Sequence, residues 1–190
     1  MAESWRVVRL AASNSGEVMR RAWLLALAAL LGCDDPVKIS NVDRQTPYAP
    51  ALVRFAAKSG EIAAVIHGNP FPTAMDAETI ARAIHLPGWL PRGTRLTTKP
   101  SPPTPTNIRI VLAFQPTWRG VREEWLCDTG AKLELAPSGG KVTVAAALCV
   151  DGKPVSWLQG QGEAAASPAA KSFQNLMNQV MANLLPDREL

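Results

Sequence analysis

An α+β two-layer sandwich, with one mostly antiparallel sheet and two helices on one face, is the fold class this sequence predicts. Three observations carry it: two strand-like runs joined by Asp151-Gly152, a C-terminal stretch with apolar residues every three or four positions, and no sustained strand-helix alternation. The 190 residues suit a single ordinary domain, and apolar residues at 47% against charged residues at 19% give it enough to bury.

The first strand is expected at Glu61–His67, an apolar run stopped by Gly68-Asn69-Pro70 and Pro72. Asp76 is placed to cap a helix from about Ala77 to Leu86, with Ile80 and Ile84 one turn apart and Pro87-Gly88 beyond. Arg95–Lys99 reads as a short strand. Pro102, Pro103 and Pro105 then forbid regular structure in the following loop, because proline lacks the N–H a ladder needs. Asn107–Gln115 places Ile108, Ile110, Leu112 and Phe114 on one face of a strand, and Ala131–Leu135 is a further candidate.

Lys141–Val150 and Lys153–Gln159 flank Asp151-Gly152, the residue pair favoured where both turn positions need positive φ. Ser167-Pro168 is expected to cap the last helix, whose buried stripe is Phe173, Leu176, Met177, Val180, Met181, Leu184 and Leu185. The predicted order is therefore β-α-β-β-β-β-β-α, which disfavours a doubly wound parallel sheet.

Upstream of this domain, Arg20-Arg21 precedes a ten-residue apolar run, Ala22–Leu31, ending in Gly32-Cys33. A bilayer-spanning helix needs about 20 apolar residues, whereas a run of this length suits the core of an export signal. Leu30, Gly32 and Cys33 resemble the lipobox of bacterial lipoproteins, in which the cysteine is acylated and becomes the mature N-terminus. Leu31 stands where that pattern usually has a small residue. The resemblance implies a signal peptide over 1–32, lipid at Cys33, and a membrane anchor on the periplasmic side. Met19 begins a more compact signal than Met1. Asp34, directly after the cysteine, resembles the residue that retains some lipoproteins in the inner membrane.

Residues 33–60 are expected to be the lipidated N-terminus and a tether, because Pro36, Pro47 and Pro50 interrupt a weak periodicity, although Ala51–Lys58 reads as a short first element. Residues 61–186 form the single domain and 187–190 a tail.

The formal net charge of +4 does not signal nucleic acid. Arg6, Arg9, Arg20 and Arg21 lie in the proposed signal with Glu3 and Glu17, and what remains shows no basic cluster interleaved with aromatics. With Cys33 assigned to lipid, Cys127 and Cys149 form an even pair that an oxidising compartment would join in a disulfide; two buried thiols are the alternative. Metal-binding spacings of Cys or His are absent, and no cofactor is expected.

His67 and His85, the two imidazoles, have no nucleophile or carboxylate in a recognisable catalytic pattern and read as structural. Glu123-Glu124 is a candidate acid/base pair, but adjacent residues on a strand would point apart. Gly139-Gly140, Gly160 and Gly162 lack the following helix with Lys-Ser/Thr that cradles phosphate. Trp118, Trp125 and Trp157 either fill a small core or mark a partner interface, where such rings are enriched.

The body resembles small lipoproteins of Alphaproteobacteria through His67-Gly68-Asn69-Pro70-Phe71, Phe114-Gln115-Pro116 and the Cys127/Cys149 pair. That resemblance spans about residues 61–185 and implies no particular activity; Gln115 stands where that pattern would have Asn. The functional expectation is a non-enzymatic, membrane-anchored envelope protein working through protein contacts. The alternative expectation is a tethered module with a small-ligand pocket between helices and sheet.

Overall fold

The computed structural model describes residues 37–117, 122–128, 133–137 and 140–188. Cys33, Trp118 and Ala131 lie outside them. The described residues form a six-stranded mixed sheet in the order β1-β6-β5-β4-β2-β3, with β1 Lys38–Arg44, β2 Glu61–His67, β3 Arg95–Thr97, β4 Ile108–Phe114, β5 Val142–Val150 and β6 Lys153–Gly162. Four helices accompany it: α1 Pro50–Ala56, α2 Ala77–Arg82, α3 Glu123–Cys127 and α4 Lys171–Leu184. This is an α+β sandwich.

The centre of the sheet follows from composition. In β5, Val142, Val144, Ala146 and Leu148 face one way while Ala145, Ala147 and Cys149 face the other, and all are buried. Ile108, Ile110, Leu112 and Phe114 of β4 share the first face as expected. The β5–β6 turn takes its positive φ values at Asp151 (49°) and Gly152 (79°), the geometry a two-residue hairpin demands.

On the first face, α4 buries Phe173, Leu176, Met177, Val180, Met181 and Leu184, with Leu185 buried just beyond its end. It packs so close to β6 that a Cβ at Gly160 would lie 2.8 Å from Val180 Cγ2 and 3.2 Å from Leu176 Cδ1. Phe173 lies between Phe71 and Phe114 with tilted rings, centroids 5.0 and 6.0 Å away. Ser156 Oγ and Arg44 Nη2 donate to the carbonyls of Leu184 and Asn183, satisfying acceptors that the last helical turn leaves open. The helix starts later than the sequence suggests: Ala170 is the N-cap, and Ser167 instead accepts from Ala170 N in a preceding turn.

Helix α2 is capped as expected, Asp76 accepting from Thr79 N at 3.0 Å, but ends at Arg82. Glu78 then ties it to β3, taking hydrogen bonds from Thr97 Oγ1, Thr98 N and Thr98 Oγ1 and pairing with Arg82.

Several expectations need correction. Residues 38–59 are not a tether: β1 pairs antiparallel with β6 at the sheet edge, and α1 with the turn Ala57–Ser59 packs Val53, Ala56 and Ala57 into the main core. The sheet is mostly antiparallel as expected, in the pairs β1–β6, β6–β5 and β5–β4, but β2 is parallel to both β3 and β4, and β2-α2-β3 is one strand-helix-strand unit not expected from the sequence. Glu123-Glu124 opens a helix rather than lying in a strand. Of the candidate strand at 131–135, the described part holds one isolated bridge, Pro116 to Leu135.

The second face is covered by α3, whose Leu126 and Cys127 join Val111, Ala113, Ala145, Ala147 and Cys149 in a smaller core. Cys127 and Cys149 form a disulfide with Cα atoms 5.5 Å apart, and Arg109 Nη2 donates to Cys127 O at 2.8 Å. The short helix is thereby pinned to the two central strands.

Candidate functional site

An apolar concavity lies where α1 and its following turn meet the proline loop. Pro50 starts α1 in the position where a missing N–H costs nothing, and the helix turns Val53 and Ala56 inward. Phe55 is left on the outer side, 59% exposed, the most exposed large apolar side chain among the described residues. Opposite it, the loop carrying the cis Pro102–Pro103 bond is fixed by two contacts. Ser59 and Thr104 share a hydroxyl hydrogen bond of 2.7 Å, and Ser101 N donates to Glu61, which also pairs with Arg95.

The resulting groove has a volume of about 360 Å³ and is lined by Phe55, Lys58, Ser59, Pro103 and Pro105. Its walls are largely apolar, the prolines contributing side chains that lose no rotamer freedom on contact, and Lys58 adds one cation at the rim. The Ser59 and Thr104 hydroxyls share a hydrogen bond at the groove wall, and the Lys58 cation beside the apolar lining suits an apolar side chain next to an acidic group. Nothing in the sequence flagged it, because Phe55 and Pro103 are brought together only by the tertiary fold.

The layer between helices and sheet, where a ligand pocket was expected, is filled in its centre by Phe71, Phe114, Phe173, Ile110, Leu112 and Leu176, all essentially inaccessible. Among the described residues no group of three His, Cys, Asp or Glu side chains is placed to hold a metal ion.

The other candidates separate. His67 ends β2 on the second face, half-buried, and burial holds its imidazole below the usual pKa. His85 is exposed beyond α2, which packs on the first face. The two share no site. Glu123 is pushed above the usual carboxylate range by burial, then by Glu124 and Asp43, whose like charges disfavour ionisation. Trp157 packs into the second-face core with its Nε1 buried and unpartnered, whereas Trp125 is exposed on α3 under the Arg122 guanidinium, 5.6 Å from its ring. Of the three tryptophans, then, Trp125 presents a surface, Trp157 fills core, and Trp118 is outside the described residues.

The residues that carry the lipoprotein resemblance have structural work. Gly68 has φ 78° and passes so near β4 that a Cβ would sit 2.7 Å from Phe114 O. Asn69 Nδ2 donates to Phe71 O and Thr73 O, setting the turn that drops Phe71 onto Phe173. Gln115, at φ 54°, is held by donating to Lys141 O and accepting from Thr143 Oγ1.

No helix among the described residues is long and apolar enough to cross a membrane. Comparison with protein-family models, with curated proteins and with solved structures finds no match to this chain.

Proposed function

We propose that this chain is a lipoprotein of the bacterial cell envelope, anchored through acylated Cys33, whose domain acts by binding another envelope protein. The observation that carries this reading is the arrangement Arg20-Arg21, ten apolar residues and Gly32-Cys33, followed within a few residues by a folded domain. The Cys127–Cys149 disulfide supports it, since such bonds persist where thiols are oxidised. Asp34 favours the inner membrane. The groove beside Phe55 is the contact surface of this reading, with Trp125 a second exposed aromatic.

Intact mass spectrometry of the membrane-extracted protein tests the anchor. The expected species begins at Cys33, carries acyl chains and lacks two hydrogens for the disulfide; a chain retaining residues 1–32 without acyl mass rejects the reading. Cross-linking in intact cells tests the contact: Phe55→Asp is expected to abolish a cross-linked species formed by the native chain, and an unchanged pattern removes the groove from the proposal. A small ligand is the second reading, because the groove volume falls at the lower end of the range for ligand sites, about 300–1,000 Å³. It would show as a compound retained by native protein and lost from Phe55→Asp.

A further inference from the structure

The sheet has two distinct ends. At one end lie the start of β1 and the finish of β6, β4 and β2: Lys38 pairs with Gln161, Thr143 pairs with Gln161 from the other side, Phe114 pairs with Val144, and His67 pairs with Ala113. Helix α4 also starts here, its last carbonyls being bound by Arg44 and Ser156 at the opposite end. Lys38, Lys141 and Lys171 are exposed around this end, with Glu134 and Glu163 nearby. At the far end lie the Asp151-Gly152 turn and the segments leading into β2 and β4, which form the groove.

We infer that the mature domain sits with its β1-start end nearer the lipid headgroups and the Phe55 groove at the end held farther away. The inference rests on the lipidation of Cys33 proposed above. Its warrant is reach. Five residue steps separate Cys33 from Lys38, and an extended chain covers at most about 3.6 Å per step, so the tether spans no more than about 18 Å.

From Gln161, level with Lys38, β6 runs eight steps to Lys153, which at about 3.4 Å per residue is about 27 Å. A domain resting on its far end would need its tether to climb that distance from the bilayer, and the tether is too short. The end nearer the headgroups presents Lys38 and Lys141 to lipid phosphates alongside Glu134 and Glu163, while the apolar groove is held where a protein from the periplasmic space can reach it.

Site-specific fluorescence quenching on the intact lipidated protein tests this. A bimane label is placed singly at Thr73→Cys or Lys141→Cys, near the proposed membrane end, and at Lys58→Cys or Lys153→Cys, at the far end. The protein is reconstituted in vesicles of phosphatidylethanolamine and phosphatidylglycerol containing a headgroup nitroxide lipid. Quenching severalfold stronger at Thr73 and Lys141 than at Lys58 and Lys153 supports the orientation. Equal quenching at both ends, as from a domain lying on one face, or stronger quenching at Lys58, overturns it while leaving the anchor intact. Protein without acyl mass that washes off the vesicles overturns the anchor and the orientation together.

Discussion

Replacing Glu78 by Gln tests how far one carboxylate holds α2 to the edge of the sheet. Burial alone would push this carboxyl up, but the Thr98 N–H, the Thr98 and Thr97 hydroxyls and the Arg82 guanidinium outweigh it and bring the pKa from an ordinary 4.5 down to about 2. The Glu78 side chain is only 13% exposed, so its threonine contacts are little screened, whereas Arg82 is 49% exposed and its share is discounted by solvent. A difference of about 2.5 units at about 1.36 kcal/mol each corresponds to about 3 kcal/mol of linked stability.

The sign is that of a depressed carboxylate. The stabilisation is complete above the unfolded value and is lost as pH falls through 4.5 towards about 2. In Glu78→Gln the amide places a donor against the threonine donors, so the variant is less stable near neutrality by about 2–3 kcal/mol. Urea denaturation of both proteins, each carrying Cys33→Ser, is followed across a pH series. The stability gap between them is expected to be flat above pH about 6 and to close progressively in acid. A gap that stays constant down to the lowest pH at which both fold would refute the reasoning, because it would show a packing effect with no ionic component.

Gly160→Ala should destabilise by about 1–3 kcal/mol, since the new methyl meets Val180, Leu176 and Val144 in an already filled layer; a denaturation midpoint equal to or above the native one would contradict that packing. Removing the disulfide with Cys127→Ala and Cys149→Ala should cost about 3 kcal/mol from the 22-residue separation, measured by denaturant unfolding against the oxidised protein. Tyr48, the chain's single tyrosine, is pushed up to about 12 by burial, Arg44 opposing and Asp187 adding, while its hydroxyl donates to Pro186 O. Ultraviolet titration should therefore show phenolate only as pH approaches 12, well above an ordinary 10. The stability tied to the neutral phenol is complete below 10 and lost as pH rises through the folded value.

What the sequence made legible was one-sided periodicity. The stripe Phe173 to Leu185, the alternation in Ile108–Phe114 and the Asp151-Gly152 turn each depend on neighbours within a few residues, and each forms where expected. Strand β1 escaped notice because Lys38–Arg44 is an edge strand with mostly exposed side chains, so it carries no buried alternation. The parallel placement of β2 beside β4 escaped as well, since β3 and the proline loop intervene and no local pattern records which edge the chain returns to. For the site, the tryptophans were visible by type, but Trp125 and Trp157 differ in exposure only through tertiary packing. Glu78 could have been suspected from the capping position of Asp76, yet its threonine partners lie about 20 residues away and belong to another element.

Among the described residues, strand β1 has one side paired to β6 and no strand on the other, which makes it a template on which a foreign strand could add. Its ladder is broken between Ser40 and Asp43, and Asn41 sits at φ 51° with its amide turned back to Gln159 Oε1 at 2.6 Å. An incoming chain would find matching donors and acceptors for only a few residues before the register failed. The opposite margin, β3, is three residues long and gives no longer a foothold. Both margins thus resist sheet extension, so that copies of this domain crowded together would meet through side chains rather than by fusing backbone to backbone.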